Sequence, residues 1–226
     1  MKKYTLIMII GLITFSFQQG ISQTFLGPRV GGFIGTTSSD IVGEIVPIDW
    51  KVGTEFGITA EKFIHKNWSL VSGIQYSNRG FSISQGTEFS VFGINLPVSA
   101  RADFNLHYIE SPLMVKYTLP MGRTNIYGIA GGALSYASSA SIETKADLIL
   151  DINLGRVDIN FAENNMARWN TSAIIGAGVE HPLENGKLFL DIKYNHGLND
   201  LLGTSIIDLN VRNKGFSLGL GYAMTF

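Results

Sequence analysis

The stretch "KGFSLGLGYAMTF", residues 214–226, carries a large apolar side chain at every second position: Phe216, Leu218, Leu220, Tyr222, Met224 and Phe226. A repeat of two is that of a β-strand with one apolar face. The residues between, Ser217, Gly219, Gly221, Ala223 and Thr225, are small rather than charged. One face therefore favours hydrocarbon, and the other has to fit a narrow space.

The same beat recurs along the chain. Between Trp50 and Lys62, Val52, Thr54, Phe56, Ile58 and Ala60 share one face and Gly53, Glu55, Gly57, Thr59 and Glu61 the other. In "YIESPLMVKYTL", Ile109, Ser111, Leu113, Val115, Tyr117 and Leu119 alternate with Tyr108, Glu110, Pro112, Met114, Lys116 and Thr118. In "KLFLDIKYNHGL", Leu188, Leu190, Ile192 and Tyr194 alternate with Asp191, Lys193 and Asn195. Weaker segments at Arg29–Thr36, Trp68–Arg79, Asn125–Ala137 and Asn170–His181 bring the expected strands to eight. The joins "FIHKN", "PMGR" and "PLENGK" are short, whereas residues 37–49, 84–105, 138–169 and 199–213 are long. Bacterial membrane barrels have an even strand number, short periplasmic turns and long outer loops.

Residues 1–22 stand apart. Lys2 and Lys3 precede an apolar run from Thr5 to Phe17, and Gly20 and Ser22 are small residues before a cut. That is the pattern of an export signal, too short to span a bilayer as a helix. No later segment approaches a membrane helix, and only helices and closed barrels satisfy every backbone group inside a bilayer. The expected fold is all-β: an eight-stranded antiparallel up-and-down transmembrane β-barrel over residues 24–226, in the bacterial outer membrane. In a ten-stranded alternative Leu148, Leu150, Ile152 and Leu154 face lipid. In the eight-stranded form "LILDINLGRVDIN" is an outer hairpin turning at Gly155–Arg156. Aromatic girdles draw on Trp50, Trp68, Tyr76, Tyr117, Tyr127, Trp169, Tyr194 and Tyr222, near strand ends. A secreted sandwich would instead turn its polar residues to solvent.

Composition removes several function classes. Charged residues are 15% of the chain, the formal net charge is −1, and no basic tract is present, so nucleic acid is not an expected partner. With zero cysteines there is no disulfide framework, thiolate zinc site, cysteine nucleophile or lipoprotein anchor. The interior of an eight-stranded barrel is just filled by side chains, which argues against a wide pore. Inward Glu55, Arg79, Glu110, Lys116, Glu180, Asp191 and Lys193 are expected to form a paired lumenal network, because buried charges persist only when satisfied.

Three blocks, "WSLVSGIQYSNRGFS", "HYIESPLMVKYTLP" and "GAGVEHPLENGKLFLDIKYNHGLNDL", resemble the PorT-like outer-membrane β-barrel family of Bacteroidota. The shared motifs are structural: inward Glu110 and Lys116, an Asn185–Gly186 turn and the "YNHGL" strand exit. The resemblance implies a scaffold in the outer membrane and, from the member that names the family, a link to protein secretion and surface-protein maturation. Leu218, Leu220, Tyr222, Met224 and Phe226 also resemble the C-terminal signal read by barrel-assembly machinery.

Catalytic signals are sparse. His107 and His196 fall near expected outer strand ends, with Ser111, Asp200 and Ser205 as conceivable helpers, and no Ser-His-acid spacing is recognisable. Glu143, Asp147, Asp151, Asp158 and Glu163 are calcium-type ligands without the spacing of a calcium loop. Apolar loop residues Ile41, Ile45, Val46, Val91, Phe92, Leu201, Leu202, Ile206 and Ile207 suggest contact with a partner or small loop cores. Leu201, Leu202, Ile206 and Ile207 are the candidate contacts. The expectation is a non-enzymatic envelope protein, without cofactor or metal, acting through its outer loops. Its partners would be outer-membrane lipid, the assembly machinery and another envelope protein of a secretion or surface-assembly complex. The alternatives are a lipid- or peptide-modifying enzyme using a rim histidine, and a narrow channel. Intact mass of the protein from outer membranes should correspond to a chain beginning at Gln23; retention of residues 1–22 would refute the export reading.

Overall fold

The computed structural model describes residues 23–38, 48–84, 89–91, 94–96, 100–146, 152–161, 167–199 and 212–226. Its strands are β1 (Thr24–Ser38), β2 (Ile48–Asp49), β3 (Lys51–His65), β4 (Trp68–Ser84), β5 (Phe89–Val91), β6 (Ile94–Leu96), β7 (Ala100–Met121), β8 (Thr124–Ala146), β9 (Ile152–Asp158), β10 (Trp169–Leu183), β11 (Gly186–Gly197) and β12 (Arg212–Thr225). Strands β1, β3, β4, β7, β8, β10, β11 and β12 pair antiparallel in that order, and β12 returns to β1. The ring is a closed eight-stranded barrel. Its seam runs from Phe25↔Thr225 to Ser38↔Arg212, and the Phe226 N–H donates to the Thr24 carbonyl at 2.9 Å.

Alternation decides which way each side chain points. Along β11, Lys187, Phe189, Asp191, Lys193 and Asn195 are buried inside while Leu188, Leu190 and Ile192 are exposed outside. The outer face carries Val30, Val52, Ile58, Ile74, Leu113, Ile175 and Leu218, all exposed. Such a face is stable in hydrocarbon and costly in water. Among the described residues no helix is long and apolar enough to cross a membrane.

Two-residue turns at Lys66–Asn67, Gly122–Arg123 and Glu184–Asn185 join strands at one end of the barrel. Gly122 has φ +68°, the left-handed backbone that a tight hairpin requires and that glycine adopts without a Cβ clash. The last turn falls on Glu184–Asn185, not Asn185–Gly186, because Gly186 already pairs with Leu183.

Several expected boundaries are corrected. Residues 100–105 and 138–146, expected in loops, continue β7 and β8. Their pattern hid this: Asp103, Phe104, Asn105 and Leu106 are all buried, so the two-residue beat is lost where both faces are covered. Gly155 and Arg156 are not a turn either. They lie within β9 opposite Thr144 and Glu143 of β8. Strand β9 pairs only with the far end of β8, while β10 pairs with Asn125–Tyr136, so this hairpin adds no membrane-spanning pair to the ring. Tyr127 belongs to the lumen rather than a girdle: it is buried, flanked by outward Ile126 and Gly128.

The small inward residues of β12 answer to large neighbours. A Cβ on Gly219 would lie 2.0 Å from Arg29 Nη2, and one on Gly221 would lie 2.2 Å from Phe189 Cζ. Gly219→Val should therefore displace Arg29 and lower unfolding stability in detergent by about 1–3 kcal/mol. Outward Leu220→Val should shift the same urea midpoint far less; equal shifts would show that the glycine is not a packing requirement.

Candidate functional site

The lumen holds two tiers of charge. Nearer the two-residue turns, Lys116 and Lys187 face Glu61 and Glu180. Lys116 lies 2.9 Å from Glu61 and pairs directly with Glu180, and Lys187 lies 2.7 Å from Glu61 and 3.0 Å from Glu180. Ser69 donates to Glu61 at 2.7 Å and Asn125 to Glu180 at 3.3 Å. Both ammonium groups also stand over rings, Lys116 at 4.1 Å from the Tyr127 centroid and Lys187 at 4.3 Å from that of Phe25. Two cations and two carboxylates make this tier formally neutral, and four strands contribute to it.

The second tier is built on two arginines. Arg29 reaches Glu55 at 3.1 Å and Asp191 at 2.8 Å, and Arg79 reaches Glu110 at 2.6 Å and Glu55 at 3.7 Å. Glu110, fully buried, also accepts from Gln75 at 2.6 Å and Ser135 at 2.8 Å, and Arg79 Nε donates to Ser77 at 2.9 Å. Lys193 lies buried beside them, with no ion pair to a described residue. It lines a cavity of about 40 Å³ with Arg29, Asp191 and Lys116, room for a few waters. Including Lys193, this tier too balances three cations against three carboxylates.

Glu55, Arg79, Glu110, Lys116, Glu180, Asp191 and Lys193 thus all lie inside the barrel, the first six in direct ion pairs. Arg29, Glu61 and Lys187 are equal members of the clusters that the sequence-based set omits. Glu61 was legible as inward by alternation. Lys187 was shared between the expected turn "PLENGK" and the first position of the strand "KLFLDIKYNHGL", and Arg29 stood at the edge of an expected strand beside Pro28.

An apolar layer fills the lumen around the first tier: Phe25, Met114, Tyr127, Ile129, Ile174 and Phe189 are buried together. A separate cluster of Leu106, Tyr108, Ala137, Ala140 and Phe161 lies toward the opposite end, where Arg168 stacks over the Phe161 ring at 4.4 Å. Neither layer leaves a wide aqueous bore.

The rim histidines point out of the wall. His107 Nδ1 shares a hydrogen bond with Tyr76 Oη, and the two rings stack at 5.8 Å. His196 Nδ1 lies 3.4 Å from Tyr194 Oη, with the rings 6.2 Å apart. Tyr194 packs in turn against Phe216 in a tilted pair at 5.1 Å, and Tyr136 meets Trp169 edge-on at 5.1 Å. These contacts set both histidines into the upper aromatic belt. Ser111 is exposed on the outer face across from Leu134, four residues from His107 along β7. Asp200, Ser205, Leu201, Leu202, Ile206 and Ile207 lie outside the described residues, as do Ile41, Ile45, Val46, Phe92, Asp147, Asp151 and Glu163. On β12, Leu218, Leu220 and Met224 are exposed outward, and Phe226 follows the strand.

Residues 17–203 match the sequence profile of a family described as outer membrane protein beta-barrel domain. The chain belongs to this family. The barrel is a protein of the bacterial outer membrane. No curated protein matches its sequence. Solved structures similar to it include the attachment invasion locus protein Ail of Yersinia pestis with a bound heparin analogue, at 16% identity, covering 90% of this chain and 99% of that one, TM-score 0.41. Neisserial surface protein A is 18% identical with coverages of 90% and 99% and a TM-score of 0.44. OprG of Pseudomonas aeruginosa is 13% identical with coverages of 91% and 95% and a TM-score of 0.45.

The second tier of the barrel can be tested directly. Glu110→Gln leaves Arg79 with the longer ion pair to Glu55 as its remaining carboxylate contact and should cost about 3 kcal/mol of unfolding stability. Joint replacement of Arg79 and Glu110 by Met and Leu should recover most of that loss, because a buried pair exchanged for apolar side chains is close to neutral. Strictly additive losses in a urea double-mutant cycle would show that the two residues do not act as a pair.

Proposed function

We propose that this outer-membrane barrel is a non-enzymatic envelope protein that works through its extracellular face, as a binding component or as a partner in a secretion or surface-assembly complex. Its export by a cleaved residue 1–22 signal, and its assembly through the Leu218, Leu220, Tyr222, Met224 and Phe226 repeat, are parts of the same reading. The PorT-like resemblance points the same way.

The observation that carries the reading is the extent of ordered strand beyond the bilayer. β7 and β8 are 22 and 23 residues long, whereas about 9–11 residues cross a membrane. Roughly half of each strand therefore stands clear of the apolar belt. β9 extends this projection, and Leu106, Tyr108, Ala137, Ala140 and Phe161 form a core close to its base. Recognition usually resides on loops held by a rigid scaffold. The filled, charge-balanced lumen disfavours a diffusion channel, and histidines committed to aromatic partners on the outer wall disfavour rim catalysis. Leu201, Leu202, Ile206 and Ile207 remain the candidate contact residues.

The test is affinity capture from detergent-solubilised outer membranes, comparing the intact protein with two variants. In one, residues 200–211 become a short Gly/Ser turn; in the other, residues 147–161 do. A stoichiometric partner, rebinding when purified and lost in at least one variant, is the expected result. Absence of any stoichiometric partner, or one retained by both variants, would overturn the proposal.

A further inference from the structure

The outer wall is not uniformly covered by large side chains. Where β8 and β10 pair, outward neighbours across the ladder include Ile126↔Val179, Gly128↔Ala177 and Ala130↔Ile175. The Gly128 and Ala177 row is flanked by Tyr117 of β7 and Ile192 of β11. Tyr117 is backed by Trp68, whose ring lies 4.7 Å away. Two adjacent strands thus present almost bare backbone between aromatic and aliphatic walls. The result is a trough of about 920 Å³ whose lining is almost wholly apolar.

Internal packing does not demand that gap. A Cβ on Gly128 would meet nothing closer than the Gly176 carbonyl oxygen at 4.0 Å. This glycine differs from Gly219, which makes room for an inward neighbour. Its open space faces the surroundings of the barrel.

The position of the trough narrows what fills it. Its lower end, at Leu119 and Ile126, stops two residues short of the Gly122–Arg123 turn, and two-residue turns mark the periplasmic side of outer-membrane barrels. From Ile126 to Ala130, the stretch of β8 that lines the trough, the strand runs about 14 Å, about half of the roughly 30 Å of bilayer hydrocarbon. An acyl chain of the periplasmic leaflet would cover that span. Below the foot, exposed Arg123 precedes Thr124, whose Oγ1 lies 3.2 Å from His181 Nδ1, and the other turns at this end carry Lys66 and Glu184. Hydrocarbon above, with the Arg123 guanidinium and the His181 imidazole at the level of the headgroups, matches one occupant.

We propose that the β8–β10 trough is a binding site for an anionic glycerophospholipid of the periplasmic leaflet. One acyl chain lies over Gly128 and Ala177 between Tyr117 and Ile192, and the phosphate meets Arg123 and His181. Each methylene moved from bulk lipid into the trough changes little in free energy, since both are apolar. Selectivity therefore comes from the headgroup, and retention from the fit between the walls.

Native mass spectrometry of the purified full-length protein tests this, titrating phosphatidylglycerol and, separately, zwitterionic phosphatidylcholine with matched chains. The expected result is one phosphatidylglycerol adduct per barrel, at least tenfold tighter than phosphatidylcholine. Arg123→Gln with His181→Gln should remove that preference. Gly128→Leu with Ala177→Leu, which fills the trough from the lipid side and leaves the lumen untouched, should abolish the adduct. Refolding of each variant is checked by the heat-modifiable gel shift of a closed barrel, and should the trough pair not refold, Ala177→Leu alone replaces it. Equal affinity for the two lipids, unchanged binding in either variant, or a dimer that the trough variant dissociates would each overturn the proposal, the last by assigning the surface to a second copy.

Discussion

Everything in this molecule depends on the closing of one hydrogen-bonded ring. A backbone amide or carbonyl left unpaired in hydrocarbon costs several kcal/mol, so a sheet in a membrane cannot keep an edge. The β1–β12 seam removes the last edge and pairs the beginning of the described chain with its end. The ring even accommodates Pro112 within β7, which lacks an N–H. The β4–β7 register runs Ser72↔Leu113 and then Gln75↔Glu110, and Ser72 Oγ donates to the Pro112 carbonyl at 2.9 Å. A side chain supplies a bond where the ladder is interrupted.

Closure then dictates the chemistry of the interior. Once one face of every strand meets lipid, the alternate residues converge on a space that side chains nearly fill. Charges placed there are far from bulk water and must balance locally. They do so in two neutral tiers, each bridging strands distant in sequence: Lys187 and Glu61 are 126 residues apart, and Arg29 and Asp191 162 apart. Glycines opposite long side chains make that density attainable. The same geometry limits function, since a lumen committed to internal pairing leaves the outer wall and the extracellular projection as the surfaces available for recognition.

Where the two-residue beat was clean, the sequence was legible to the single residue. In β7 and β11 every inward and outward assignment from Tyr108 to Leu119 and from Leu188 to Asn195 matches the observed burial. Legibility failed where the beat was absent or ambiguous. Asp103 to Leu106 are buried on both faces, and Ser138 to Ala146 are mostly small or polar, so the outer halves of β7 and β8 passed for loop. Tyr127 looked like a girdle aromatic because tyrosine suits either environment. Arg29 and Lys187 stood at the first position of their expected strands, next to a proline in one case and turn residues in the other, where a strand's beat is least marked.

Alternating polarity, the even count of strands and the alternating long and short joins were properties of the sequence alone, because a period of two acts through local backbone geometry and needs no knowledge of partners. Which carboxylate meets which cation, how far β7 and β8 rise above the belt, and that both rim histidines turn to tyrosines were decided only in three dimensions. Those outcomes depend on the stagger between neighbouring strands and on ring closure. Such quantities belong to the whole sheet, and no single strand carries them.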